Sequence, residues 1–243
     1  MRHRLALSVP VEDTFVHLMV EYEDNHKELR EHRVWSDKIS KNWALYSNNE
    51  IEISSVDYIP YVNLWNNAFE HLADIDTFNI FDENKLIIGG GDLQIANLLH
   101  FNHTCNEIIR VVDPCAVHIQ VLLGSFLPHM IDLSDVDLHA NTYQSYCDGL
   151  AAESKYGLIC IDLSDDYMDI ANSFYHEKTV IHLYDQLKDD GYIVAYMANG
   201  SLNLGSKFTL VKEFDTDIPG YSTEPTRVGI FKKVLNEESK GNS

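Results

Sequence analysis

The chain has 243 residues, 45% of them hydrophobic, and a formal net charge of −20 from 38 acidic and 18 basic side chains. That length suffices for one sizeable core or a main domain with a small appendage. So acidic a surface repels nucleic acid and attracts cations, and apolar runs too short for a membrane span leave a soluble, cytoplasmic protein as the expectation.

The basic start, Met1 to Arg4, precedes an apolar run too brief for a signal peptide. Residues 1–57 read as a small N-terminal β-hairpin domain. Arg4 to Val11, Thr14 to Tyr22 and Trp43 to Ser54 carry β-branched and aromatic residues in partial alternation. Ser47-Asn48-Asn49 makes a turn within the last of these, and Thr14 to Tyr22 is open between strand and helix. The acidic run Glu23 to Glu31 reads as a solvated face.

From Tyr58 the period becomes helical, with Tyr61, Leu64, Trp65, Ala68, Phe69 and Leu72 on one face. Leu86-Ile87-Ile88 then stops at Gly89-Gly90-Gly91-Asp92, and Leu93, Ile95, Ala96 and Leu99 mark a second helix. Strand, glycine turn and helix in that order let a backbone approach a ligand closely and offer it unpaired N–H groups. Strands are predicted at Ile108–Val112, Val136–Ala140, Tyr156–Ile161 and Tyr192–Tyr196, with helices around Val117–Phe126 and Thr179–Leu187. Lys188-Asp189-Asp190-Gly191 reads as a turn. Two late strands, Phe208–Phe214 and Arg227–Val234, flank Ile218-Pro219-Gly220-Tyr221, and residues 236–243 read as a disordered tail.

Strands alternating with helices imply a Rossmann-like, mostly parallel sheet covered on both faces. The tips Gly89–Asp92, Asp113 and Asp162–Asp165 then share one edge, a cleft lined with carboxylates. Taken singly, Asp162 and Asp165 could instead cap the segment after them, and Asp113 before Pro114 could be a turn residue. Cys105, Cys115, Cys147 and Cys160 have no Cys-x-x-Cys spacing, which points to neither zinc nor a disulfide framework. Cys160 lies in an apolar run as a small hydrophobe. His100 and His103 come nearest to ligand spacing without an acidic or cysteine partner, so no metal is expected.

The ordered set Gly89-Gly90-Gly91-Asp92, Asp113-Pro114, Asp162-Leu163-Ser164-Asp165 and Ile218-Pro219-Gly220-Tyr221 resembles the spermidine synthase family of aminopropyltransferases over about Leu45 to Lys233. The resemblance implies an N-terminal β-hairpin domain, a methyltransferase-like Rossmann domain over residues 58–235, and dimers or tetramers. It implies transfer of an aminopropyl group from decarboxylated S-adenosylmethionine, a co-substrate and not a tightly held cofactor, to an amine such as putrescine. Asp162 would be the general base; Asp165, Asp92, Tyr61 and Glu52 would bind substrate. Gly89, Gly90, Gly91, Asp113, Asn141 and Thr142 would line the nucleoside site. Val111 stands where the family has a ribose-binding glutamate, Leu93-Gln94 where it has further glycine, and Asn141-Thr142-Tyr143 where it has Gly-Asp-Gly. An S-adenosylmethionine-dependent methyltransferase or other transferase, and a catalytically degenerate regulatory or binding relative, are the alternatives on the same fold.

Overall fold

A computed structural model describes residues 2–11, 14–22, 43–47, 50–54, 58–76, 79–90, 93–102, 107–113, 136–149, 155–163, 176–197, 204–217 and 226–235, with side chains from residue 60 onward except at 101, 102, 148 and 149. The helix expected at Val117–Phe126, the Ile218–Tyr221 segment and the 236–243 tail lie outside the described residues.

Alternating β-branched and aromatic residues near the N-terminus form four strands, β1 (Arg2–Val11), β2 (Thr14–Tyr22), β3 (Trp43–Ser47) and β4 (Glu50–Ser54). They pair antiparallel in chain order. Thr14–Tyr22 is therefore a strand, in register with β1 on one side and β3 on the other.

The second sheet has seven strands: β5 (Lys85–Gly89), β6 (Ile109–Val112), β7 (Val136–His139), β8 (Tyr156–Asp162), β9 (Leu187–Met197), β10 (Phe208–Thr216) and β11 (Thr226–Lys233). Their order is β10-β11-β9-β8-β5-β6-β7. All pairs from β7 to β9 are parallel, and β11 runs antiparallel to both β9 and β10. This is the methyltransferase-type Rossmann-like sheet with an antiparallel strand near its C-terminal edge. From β5 the chain steps outward to β6 and β7, then returns to place β8 on the other side of β5. The reversal lies between β5 and β8, where open α/β sheets form a crevice beyond their carboxyl ends.

Both faces are covered, which is why the central strands read as unbroken apolar runs. Ile87, Val111, Cys160 and Val194 pack beneath α1 (Tyr58–Ile75) and α2 (Gln94–Asn102), whose Leu64, Trp65, Phe69, Leu72, Ala96 and Leu99 are fully or almost fully buried. Leu86, Ile88, Ile159, Ile161 and Ile193 face the other way, towards α3 (Tyr143–Gly149) and α4 (Glu177–Gln186). Each such large apolar side chain contributes roughly 1.5–3 kcal/mol on burial. Among the described residues no helix is long and apolar enough to cross a membrane.

One predicted element is corrected. Lys188–Gly191 is not a separate turn after the helix but part of β9. The β8–β9 register jumps from Tyr156↔Leu187 to Leu158↔Tyr192, so Lys188 to Gly191 bulge outward opposite the single residue Gly157. Nζ of Lys188 pairs with Glu83 there, and buried Lys233 reaches the Leu187 carbonyl at 2.8 Å and Asp189 at 3.1 Å. The polar residues that signal a turn are used as anchors for a strand bulge.

Candidate active site at the strand tips

Gly89 ends β5 opposite Asp162, the last residue of β8. Gly89 has φ 77° and Gly90 φ 62°, in the left-handed region that glycine enters without steric cost. A Cβ on Gly89 would lie 1.9 Å from the Asp162 carbonyl oxygen, so only glycine lets the two strand ends meet. The Gly90 N–H donates to that same oxygen at 3.0 Å, and the Leu93 N–H donates back to the Gly90 carbonyl at 2.9 Å. This closes the turn that starts α2.

Leu93 itself is left-handed, at φ 60°, and wholly buried. Such a backbone costs an L-residue about 1–2 kcal/mol, and burial of the leucine side chain offsets it. Gln94, the first residue of α2, is 1% exposed. Leu93 and Gln94 are thus built into the core beneath the turn.

The Asp162 carboxylate lies over this turn, 3.3 Å from where a Gly90 Cβ would be. Tyr61, brought in by α1 on the same face of the sheet, donates its hydroxyl to Asp162 Oδ2. The Tyr61 ring is 6.4 Å from Trp65, edge-on, and 6.5 Å from Tyr196, tilted. Tyr196 follows Ala195, which pairs with Ile161, so it is the neighbour of Asp162 on the adjacent strand. Sequence reasoning read Tyr196 only as the end of an apolar strand; the β8–β9 register is what puts it beside the carboxylate. A carboxylate flanked by aromatic rings suits a cation, which gains from both.

Asp113 follows Val112, which is in register with Ile88, and so sits beside the glycine turn at the next strand tip. Val111, by contrast, is fully buried in the core. The acidic group at this tip is therefore Asp113, and Val111 acts in packing. Asn141 and Thr142 are exposed in the connection from β7 to α3. The Thr142 hydroxyl accepts from the Ser145 N–H at 3.3 Å and contacts Ser145 Oγ at 3.1 Å, which caps α3. Gly91, Asp92 and Asp165 lie outside the described residues, as does the side chain of Glu52 in β4.

A second polar cluster, which sequence reasoning missed, ties the β6–β7 edge together. The Arg110 guanidinium bonds Asp137 at 2.6 Å, Tyr156 at 2.8 Å and Tyr146 at 3.0 Å. His139 Nε2 is 3.1 Å from the other Asp137 oxygen, and its ring meets Tyr146 edge-on at 5.1 Å. Burial alone would raise the Asp137 pKa, but its hydrogen bond and charge interaction with Arg110, aided by His139, hold it below the usual carboxylate value. Burial pushes the Tyr143 and Tyr146 hydroxyls up, the latter with help from Tyr156 and against Arg110.

No family model and no curated protein matches the sequence. Solved structures do match. The spermidine synthase of Thermotoga maritima is 16% identical, with a TM-score of 0.61 over 95% of this chain and 72% of that one. The likeness is one of fold. A spermidine synthase in complex with the transition-state analogue AdoDATO is 14% identical, with a TM-score of 0.59 over 98% of this chain and 76% of that one. A probable spermidine synthase of Corynebacterium glutamicum is 10% identical, with a TM-score of 0.59 over 95% and 80%. At these identities the backbone arrangement is shared and the chemistry has to be argued from this chain's own residues.

Proposed function

We propose that the chain is an aminopropyltransferase that moves an aminopropyl group from decarboxylated S-adenosylmethionine to an aliphatic diamine such as putrescine. The observation that carries this reading is the Tyr61–Asp162 hydrogen bond beside the Gly89–Gly90 turn. In this reading the diamine lies against Asp162, Tyr61 and Tyr196. An aliphatic amine is protonated near neutral pH, with a pKa about that of lysine, ~10.4. Asp162 accepts one proton from its attacking nitrogen. The freed lone pair forms a C–N bond at the propyl carbon next to the sulfonium, and the C–S electron pair returns to sulfur. The sulfonium leaves as the neutral thioether methylthioadenosine. Tyr61 orients the carboxylate through its hydroxyl. Asp165 and Glu52 are assigned to the distant ammonium of the acceptor and Asp92 to the amine of the donor. The nucleoside is assigned to Gly89, Gly90 and Gly91, with Asp113 and Asn141 at its sugar and base edge.

The test is release of methylthioadenosine from decarboxylated S-adenosylmethionine and putrescine. Asp162→Asn should lower kcat by about 10²–10⁴-fold, the usual worth of a positioned base. Tyr61→Phe removes a hydrogen bond to a charged group, worth about 1.5–3 kcal/mol, or about 10–100-fold in rate. Full turnover in Asp162→Asn would refute the assignment of the base. Methyl transfer from S-adenosylmethionine, with no methylthioadenosine from the decarboxylated donor, would replace the reading with a methyltransferase.

A further inference from the structure

Two of the residues assigned above to the nucleoside, Asp113 and Asn141, hang from one backbone atom. The carbonyl oxygen of His139 accepts from the Asp113 N–H at 3.1 Å and from the Asn141 N–H at 2.9 Å. Asp113 follows the last residue of β6 and Asn141 opens the connection to α3, so this oxygen sets the spacing between two strand tips. His139 is the last residue of β7, which among the described residues is the outermost strand on this side of the sheet, with a strand neighbour on one side only. Besides the pairing with β6, it is the His139 side chain that ties this residue to the rest of the fold.

Arg110 does the holding. Its guanidinium reaches Asp137 on β7, Tyr156 on β8 and Tyr146 on α3 at once, and the two tyrosine hydroxyls lie 2.7 Å apart. Asp137 gives one oxygen to Arg110. Its other oxygen lies 3.1 Å from His139 Nε2, a close polar contact that falls short of hydrogen-bond geometry, while Tyr146 supports that ring from its edge. Four elements are thereby referred to one rigid, planar cation. We propose that Arg110, acting through Asp137 and His139, is a positioning residue for the nucleoside edge of the site, keeping the His139 carbonyl where it fixes Asp113 and Asn141. The arrangement demands arginine. A lysine ammonium is a single point charge and cannot present the flat fork that meets a carboxylate and two hydroxyls together.

This inference rests on the proposed nucleoside site for its meaning, but its geometry can be tested without any ligand. Two variants of the full chain are compared with the wild type: Arg110→Lys, which keeps the charge, and His139→Phe, which keeps the ring edge on Tyr146 and loses the contact with Asp137. Amide hydrogen exchange is read at Asp113 and Asn141, with Gly90 as the control, because its N–H bonds Asp162 on the other side of the crevice. Both variants should speed exchange at Asp113 and Asn141 by about tenfold, the loss of roughly one net hydrogen bond, and leave Gly90 within about twofold. Unchanged exchange at the two tips in His139→Phe would overturn the proposal. So would an equal rise at Gly90, the sign of general loosening. If Arg110→Lys fails to fold, His139→Phe decides alone, since its site is one-third exposed and at a sheet edge. A second arm measures binding of 5′-methylthioadenosine, which should weaken about tenfold in both variants. Absence of binding by the wild type would count against the transferase reading, while the exchange arm would still decide the role of Arg110.

Discussion

Among the described residues three glycines share a left-handed backbone but differ in what surrounds them, which separates strain from space. Gly89, Gly90 and Gly205 have φ of 77°, 62° and 67°. An added Cβ at Gly205 meets nothing within 4 Å, at Gly90 its nearest neighbour is the Asp162 carboxylate oxygen at 3.3 Å, and at Gly89 it falls 1.9 Å from the Asp162 carbonyl oxygen. Alanine in this region costs about 1–2 kcal/mol from the backbone alone, so Gly205→Ala should lose about that and no more. Gly90→Ala should lose a similar amount, because a side-chain oxygen can yield a few tenths of an ångström. Gly89→Ala carries the same strain and also forces two strand ends apart, which adds about 1–3 kcal/mol of overpacking. The expected order is therefore Gly205 about equal to Gly90, with Gly89 at about 2–5 kcal/mol. Urea unfolding provides the assay, read as a fall in the midpoint at constant m-value. A Gly89→Ala loss no greater than that of Gly205→Ala would refute the close approach of β5 to β8, and with it the placement of Asp162 over the glycine turn.

Two further outcomes follow from the same geometry. Leu93→Gly relieves about 1–2 kcal/mol of left-handed strain but empties a wholly buried leucine site, where truncation to alanine already costs about 2–5 kcal/mol. The variant should therefore be net destabilised, by up to about 4 kcal/mol in urea, and a stabilised variant would show that the Leu93 side chain does not fill the core. Stability should also fall at both ends of the pH scale. The Asp137 pKa is lowered on folding, so its contribution is present above the unfolded value of 3.8 and is lost as pH falls below it. The hydroxyls of Tyr143 and Tyr146 are raised on folding, so their contribution is present below the unfolded value of 10.0 and is lost as pH rises beyond it. Urea midpoints across pH would show both limbs, and an unchanged alkaline limb in Tyr143→Phe would remove that residue from the account.

Local pattern in the chain was enough for most of the fold. The runs Leu86–Ile88, Tyr156–Ile161 and Tyr192–Tyr196 are strands because a sheet covered on both faces needs apolar residues at every position. The helical spacing from Tyr61 to Leu72 marks the buried face of α1, and the glycines after Ile88 mark a strand end where another backbone comes close. Strand, helix and turn are short-range properties, which is why the order of elements, and hence a shared edge for Gly89, Asp113 and Asp162, could be read in advance.

Tertiary structure decided what depends on register and strand order. Tyr61 and Asp162 are 101 residues apart, and only the packing of α1 across the tip of β8 joins them. Tyr196 looked like one more apolar strand residue until the β8–β9 pairing set it beside that carboxylate. Arg110, Asp137, His139, Tyr146 and Tyr156 carry no shared motif, because their contacts run between strands and a helix and leave no spacing along the chain. The Lys188–Gly191 segment has the composition of a turn but is held in β9, since its charged side chains find partners on Glu83 and Lys233 that no local pattern could reveal. A sequence carries periodicity and burial within a few residues; which distant side chains meet is settled by how the strands line up, where a shift of one residue sends a side chain to the opposite face.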